Sequence, residues 1–142
     1  EKLRSLRGRL DPLADFELWF WATMSAGTHA VNAALHAAGA TRAAGEFAMQ
    51  PGIYLVPDAE DALRPAFRPL GDVLHVGRPP VPGPVPAEVQ ALMHAMERIE
   101  AYRDPCVREG RRADAAVVRD CEAAFGDCLG QLQRVLETHH AG

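Results

Sequence analysis

Leu18–Thr41 reads LWFWATMSAGTHAVNAALHAAGAT, which is 24 consecutive residues without Asp, Glu, Lys or Arg. Alanine, which loses the least on entering a helix, dominates the stretch. Asp11-Pro12 precedes it, where Asp can accept from free backbone N–H groups and Pro is preset for a first helical position. Gly39 and Gly45 offer places to end. The sequence therefore predicts one long helix over about 12–44, enclosed by protein on nearly every side.

A run of this length would also span a bilayer. It carries His29, Asn32 and His36, however, and central histidine and asparagine are costly in lipid. We therefore interpret the stretch as a helix buried within a protein or an oligomer, and we expect no association with a membrane.

The aromatic start of this helix carries more apolar surface than a chain of 142 residues readily covers. Trp19, Phe20, Trp21 and Met24 occupy nearly a full turn. Apolar patches that a single chain leaves exposed mark interaction surfaces, and most soluble oligomers are built from identical chains. The sequence therefore predicts a homodimer, or a subunit of a larger assembly, that associates through the first long helix.

The composition of the whole chain favours an all-α fold. Alanine occurs 25 times, against 17 for Val, Ile and Thr combined, which are the β-branched residues that favour strands. Nine of the 11 prolines lie in residues 51–86. We predict a single helical domain over residues 1–142, a bundle with a proline-rich irregular segment in the middle.

That middle segment is predicted as an irregular strap over about 46–85. Within it Ile53–Val56 has strand character, Asp58–Leu63 is predicted to make one or two helical turns, and RPPVPGPVP at 78–86 is predicted to be extended and polyproline-like. C-terminal helices are expected over about 86–104 and 112–138.

Both C-terminal helices have clear apolar faces. In the first, Val89, Leu92, Met93, Met96 and Ile99 follow helical spacing, and Asp104-Pro105 interrupts it with the cap chemistry of Asp11-Pro12. In the second, apolar residues alternate at intervals of three and four, and the pattern predicts an antiparallel helix pair or bundle. Its members are Val118, Cys121, Phe125, Cys128, Leu132, Val135 and His139.

Charge and cysteine content bear on the environment of the chain. The net charge of −4 and the pI of about 5.8 leave no overall basic field for nucleic acid or an anionic membrane. Residues 2–10 are predicted to form a short amphipathic turn with Lys2, Arg4, Arg7 and Arg9 on a solvated face. The charged start lacks a secretory signal and the three cysteines form an odd set, so we expect a reduced, cytoplasmic protein.

A polar line on the first long helix is the first candidate site. Ser25, His29, Asn32 and His36 are separated by four, three and four residues, so they share one face. Once buried they must find partners, as the wall of a pocket for a polar ligand, as hydrogen-bonded core residues or as a subunit interface. Two helical zinc ligands favour a spacing of four, so His29 and His36 would need a distant third ligand.

Established catalytic and cofactor motifs are missing from the sequence. It has no phosphate-binding loop, no Gly-x-Ser-x-Gly elbow and no Cys-x-x-Cys pair, and no motif implies a cofactor. Cys121 and Cys128 are predicted as small core residues. Cys106 follows a proline near Arg103 and Arg108, whose charges would favour a reactive thiolate. No residue near Cys106 in the sequence is a clear candidate for a general base, so we interpret Cys106 as a thiol without a catalytic role.

His29–Gly39, which reads HAVNAALHAAG, resembles the long-helix segment of HEPN domains, small helical bundles found in many toxin–antitoxin and RNA-cleaving systems. Nuclease members of that family carry Arg, then four to six residues, then His, a spacing that Arg134 and His139 match. The resemblance implies a dimeric ribonuclease in which His139 moves the proton of a 2′-hydroxyl and Arg134 steadies phosphate charge.

Three functions follow from these observations. We favour a non-catalytic binding or accessory module with Ser25, His29, Asn32 and His36 at its ligand pocket or interface. The alternatives are an HEPN-like ribonuclease that uses Arg134 and His139, and a metal-binding bundle that uses His29 and His36. A nucleic-acid partner belongs to the ribonuclease alternative alone.

Overall fold

The computed structural model describes residues 1–40, 52–57, 59, 62–68 and 84–140. The helices form the all-α bundle that the composition predicts, and a β-hairpin lies in the proline-rich middle. In chain order the elements are α1 (Lys2–Arg7), α2 (Phe16–Ala37), β1 (Gly52–Pro57), β2 (Leu63–Arg68), α3 (Ala87–Glu100), a π-helical turn (Asp104–Arg108) and α4 (Ala115–His140).

The turn before α2 uses the predicted cap but delays the helix. Asp11 Oδ1 accepts the backbone N–H groups of Leu13 and Ala14 at 2.8 and 2.9 Å. These hydrogen bonds, the one from Ala14 first, lower the pKa of Asp11. Asp15 N–H donates to the Asp11 carbonyl at 2.8 Å and closes a separate turn. Regular helix therefore begins at Phe16 rather than near residue 12.

Gly39 ends α2 earlier than the predicted residue 44. It adopts φ +69°, a conformation that glycine tolerates because it has no Cβ. The next amide, that of Ala40, donates to the Leu35 carbonyl at 2.9 Å, which is the long bond of a Schellman cap. Residues 41–51 lie outside the described part of the chain.

The core lies where α2, α3 and α4 meet. The predicted apolar face of α3 is confirmed, since Val89, Leu92, Met96 and Ile99 are each 0% exposed. On α4, Cys121, Phe125, Cys128 and Val135 are buried, Val118 and Leu132 are half-buried, and His139 is exposed. Contacts from Glu88 to His139, from Arg98 to Asp127 and from Tyr102 to Asp120 show that α3 and α4 run antiparallel. We call the buried α3–α4 contact the seam.

One copy of the chain does not enclose α2 on every side, and enclosure by a second copy stays a prediction. Trp19, Phe20 and Met24 are buried in the core of this chain, but Leu18 is 56% and Trp21 is 39% exposed. The neighbouring helices cover one face of α2, and its uncharged opposite face remains at the surface. Within one chain, the uncharged run therefore extends beyond the residues that the other helices cover.

A close approach between α2 and α3 depends on Gly27. A Cβ atom built at this position would lie 2.2 Å from both Sδ and Cε of Met96. Gly27 and Met96 are both buried. The missing side chain at Gly27 thus leaves the room that the Met96 side chain occupies.

The hairpin confirms one strand and corrects a second prediction. β1 contains Ile53–Val56 as expected and pairs antiparallel with β2, with Ile53 opposite Phe67. Leu63 begins β2, so the predicted helical turns do not extend to that residue. Pro65 is compatible with this sheet because both strands of a two-stranded sheet are edges. The strap predicted over 46–85 lies largely outside the described residues, including 69–83.

The connection from α3 to α4 is built differently from the prediction. Asp104 does not cap a helix; its Oδ1 pairs with Arg103 at 3.2 Å and with Arg108 at 3.1 Å. Asp114 caps α4 instead, since its Oδ1 accepts the N–H groups of Ala116 and Val117 at 2.9 and 3.0 Å. The α4 helix then runs to His140, two residues beyond the predicted end.

Candidate functional site

The polar line on α2 lies on the exposed face of the helix. Ser25, His29 and His36 are exposed and Asn32 is half-buried, so the line is not part of the core of a single chain, and its burial in a subunit interface stays a prediction. His29 also borders a cavity, which is described next.

A cavity of about 650 Å³ lies between α1, α2 and α4, and we call it the α1 groove. Its α2 wall combines His29 with alanines, its α4 wall is mainly aromatic and aliphatic, and its α1 wall carries charges. The lining residues are Glu1, Lys2, Leu3, Arg4, Ala26, His29, Ala30, Ala33, Phe125, Leu129, Leu132, Gln133 and Leu136.

The α1 groove follows from side-chain size on two helices. Ala26, Ala30 and Ala33 recur at helical spacing on α2 and reach only a short distance from the backbone. Opposite them, Leu129 and Leu132 on α4 are half-buried. The space between the two walls is therefore open and mostly apolar.

Arg7 fastens α1, a helix in which no residue is buried, to the rest of the bundle. Its guanidinium lies 5.0 Å from the ring centre of Trp19 and 4.6 Å from that of Phe125. Arg7 Nε donates to Thr23 Oγ1 at 2.7 Å, and Nη2 forms an ion pair with Glu122. One side chain, 11% exposed, thus joins α1 to both α2 and α4.

The sequence did not indicate this role of Arg7. The amphipathic pattern of residues 2–10 predicted that Arg7 lies on a solvated face together with the other basic residues of α1. Neither its neighbours in sequence nor its spacing indicates burial. The two aromatic rings that contact it come from different helices, Trp19 on α2 and Phe125 on α4. Only the tertiary arrangement brings them to the same cation.

The charges of the α1 groove are concentrated at α1. Lys2 and Arg4 carry permanent positive charge, and Glu1 carries the carboxylate of the lining. Gln133 is engaged on α4, where its Nε2 donates to Glu137 Oε1 at 2.8 Å. The described lining residues include no Ser, Thr, Cys or Tyr, so the side chains of the groove that can act as acids or bases are those of Glu1, Lys2 and His29.

A second cavity, of about 470 Å³, lies between α3 and α4 and includes Arg134. Arg98 and Asp127 pair across it at 2.7 Å. His139 lies 3.6 Å from Glu88. Five residues along a helix rotate the direction of the side chain by about 140°, so Arg134 and His139 leave α4 in different directions. Their pairing across two subunits stays a prediction.

The described residues contain no group of three or more His, Cys, Asp or Glu side chains that could hold a metal ion. Cys121 and Cys128 are core residues as predicted, and burial raises the pKa of each thiol to about 12. Cys106 is half-buried against the core. Arg103 and Arg108 beside it are paired with carboxylates.

No family model matches the chain, and neither a curated protein nor a solved structure matches it significantly. Across the described ranges, none of the helices has the length and apolar character needed to cross a membrane. The proposals below therefore depend on the geometry of the bundle alone.

Proposed function

We propose that this protein is a non-catalytic binding module and that its ligand occupies the α1 groove. The observation that carries the proposal is a cavity of about 650 Å³ that adjoins the core and borders His29. Pockets for small molecules typically have volumes of about 300–1,000 Å³, apolar walls and a few polar groups. The α1 groove has these properties.

The lining supports binding through two kinds of contact. Phe125, Leu129 and Leu132 offer apolar surface, whose burial against a ligand contributes about 25 cal/mol per Å². The His29 imidazole offers one polar position on the opposite wall. His29 is thus the member of the predicted line that serves as a ligand-binding residue in this proposal.

The proposal also includes association of two copies through the exposed face of α2. Leu18 and Trp21 are the large apolar residues that this face leaves exposed. Because α2 after Glu17 carries no Asp, Glu, Lys or Arg, two copies can meet there without repulsion between like charges. Substituting Glu at Leu18 and Trp21 together should lower the mass measured by light scattering.

The free cysteines support a reducing compartment such as the cytoplasm.

Filling the α1 groove tests the binding proposal. Ala33 is exposed and lines the groove, so Ala33→Trp places an indole in the cavity without replacing a core residue. Ala123→Trp is the matched control, since Ala123 is exposed on α4 outside the lining. The probe is N-phenyl-1-naphthylamine, a neutral dye whose fluorescence rises in apolar surroundings.

The wild-type protein should bind the dye saturably. Ala33→Trp should weaken binding by about tenfold or more, which corresponds to at least about 1.4 kcal/mol. Ala123→Trp should leave binding unchanged. Absence of saturable binding by the wild type, or equal binding by the two variants, would refute the proposal.

A further inference from the structure

We infer that the ligand of the α1 groove is an elongated apolar molecule with an anionic end group, such as an aliphatic carboxylate. The inference rests on the proposed function, because it names the ligand class of the same cavity. It follows from the uneven distribution of charge around the groove and from the way in which α1 is fixed.

The groove has an apolar wall and a charged wall. Leu129, Leu132 and Leu136 form a continuous apolar row along α4, since their spacing returns to the same helix face. Lys2 and Arg4 lie across from them on α1. A ligand that fills the cavity therefore meets hydrocarbon along one side and cations at the other.

The charge balance at α1 favours an anion. Lys2 and Arg4 contribute two permanent positive charges, against the one carboxylate of Glu1. Within the described ranges neither cation lies within ion-pair distance of an acidic side chain, whereas Arg7 on the same helix is paired with Glu122. The two cations are thus available to a ligand.

Arg7 is a positioning residue for this cationic wall. Arg4 and Arg7 are three residues apart and lie on neighbouring turns of α1. The contacts of Arg7 with Trp19, Phe125 and Thr23 fix α1 beside the groove. The anionic group then lies at Lys2 and Arg4, and the tail lies along the α4 leucines.

The expected preference for an anion is modest. Lys2 and Arg4 are exposed, and ion pairs at exposed positions are weakened by water and by salt. We expect a decyl chain with a carboxylate to bind about three- to tenfold more tightly than the same chain with a hydroxyl group. The preference should shrink as salt concentration rises, because screening acts on the charge and not on the chain.

The test is displacement of N-phenyl-1-naphthylamine from the full chain by decanoate, decanol and decylamine, each below its micellar concentration. The wild type should rank decanoate first and decylamine last. The double variant Lys2→Glu/Arg4→Glu should lose or reverse this order. Arg112→Glu/Arg119→Glu makes the same charge change at exposed positions outside the groove and should keep the wild-type order.

The outcomes separate this inference from the proposed function. Failure of the dye and of all three decyl compounds to bind would refute both. Equal displacement by the three compounds, or preference for decylamine, would refute the anionic ligand and leave the groove as a binding site. Loss of the order in Arg112→Glu/Arg119→Glu as well would also refute it, because net charge and not the groove would then decide the order.

Discussion

The bundle attaches its helices to α4 in two different ways. At the seam, α3 buries a row of apolar side chains, and Leu92, Met96 and Ile99 are each 0% exposed. On the other side, α1 buries no residue and is fixed by the guanidinium of Arg7. The tightly packed side has a cavity of about 470 Å³ lined by small, polar and charged residues, whereas the lightly attached side contains the α1 groove of about 650 Å³ with apolar walls. The difference indicates that the larger apolar space lies where one helix is held by few contacts.

Polar contacts have different weights on the two sides. Arg98 and Asp127 pair at 2.7 Å across the seam, but their side chains are 56% and 59% exposed. Pairs of this kind contribute about 0–1 kcal/mol. Arg7 is largely removed from water and makes its contacts between two rings, where cation–π attraction reaches about 2 kcal/mol. Charged side chains therefore contribute little to the attachment of α3 to α4, whereas the charge of Arg7 contributes most of the attachment of α1.

Truncation in the seam should have the largest effect. Leu92→Ala removes a side chain that is 0% exposed, so we expect a loss of about 2–5 kcal/mol in the free energy of unfolding. Urea denaturation followed by circular dichroism measures this loss. Leu13→Ala is the control, because Leu13 is 52% exposed and its truncation should cost about 0.5 kcal/mol or less. Similar losses in both variants would contradict the assignment of the core to the seam.

A pair of glycine substitutions compares close and open packing. Gly27→Ala places a Cβ where Met96 lies, 2.2 Å from its Sδ and Cε atoms, and should cost about 1–3 kcal/mol. Gly126→Ala meets nothing within 4 Å and should stabilise α4 by about 0.5–1 kcal/mol through helix propensity. Thermal unfolding of both variants shows whether each substitution lowers or raises the melting temperature. A stabilised Gly27→Ala would show that Met96 can move aside, and that the α2–α3 contact is less closely packed than described.

Loss of the Arg7 anchor should have a smaller and more local effect. Arg7→Met keeps apolar bulk but loses the cation–π contacts and the hydrogen bond to Thr23, with an expected cost of about 1–2 kcal/mol. Glu122 is 47% exposed, so its carboxylate is not left buried without a partner. Amide hydrogen exchange should accelerate in α1 while α3 and α4 keep their protection.

Arg4→Met is the matched control for this exchange experiment. Arg4 lies on the same helix and is exposed, so its replacement should leave the protection of α1 unchanged. If Arg7→Met instead reduced the protection of α3 and α4 as much as that of α1, then α1 would be part of one cooperative unit with the seam. The contrast between the two attachments would then be wrong.

The parts of the fold that sequence could predict are those with local or periodic signals. The apolar spacing of α3 identified Val89, Leu92 and Ile99 correctly, because a helix face that packs must repeat with the helix. Asp11 was identified as a cap because its carboxylate serves amides only two and three residues away. The all-α bundle follows from such signals.

The parts that failed depend on contacts between distant segments. The lack of charge in α2 suggested burial, but one chain surrounds only part of the helix and leaves Trp21 39% exposed, and the sequence pattern does not say what covers the rest. β2 was missed because Pro65 reads as a strand breaker until its strand is known to be an edge. In the candidate site, His29 was among the residues named, whereas Lys2, Arg4 and Arg7 gained their roles only from the position of α1.

The smallest effect should come from two aspartates whose carboxylates accept backbone N–H groups, Asp11 in the turn before α2 and Asp114 at the start of α4. Backbone N–H groups lower the pKa of Asp11 and, at the start of α4, that of Asp114, where the Val117 bond is the largest cause. Because each folded-state pKa lies below the ordinary value of 3.8 for an aspartate, each carboxylate stabilises the fold above about pH 4 and loses this contribution as the pH falls through its folded-state pKa.

Asp11→Asn and Asp114→Asn keep a capping oxygen but do not titrate. The melting temperature of each variant should therefore fall less than that of the wild type between pH 7 and pH 3. Glu109→Gln, at an exposed position between α3 and α4, should keep the wild-type dependence. Because Asp114 begins the helix that forms the seam, its variant should change the acid sensitivity of global unfolding. Asp11 lies between α1 and α2, so its variant should change the acid sensitivity of the melting temperature less than the Asp114 variant does. If the two variants changed it equally, the segment that carries α1 would be as tightly coupled to the core as α3 is.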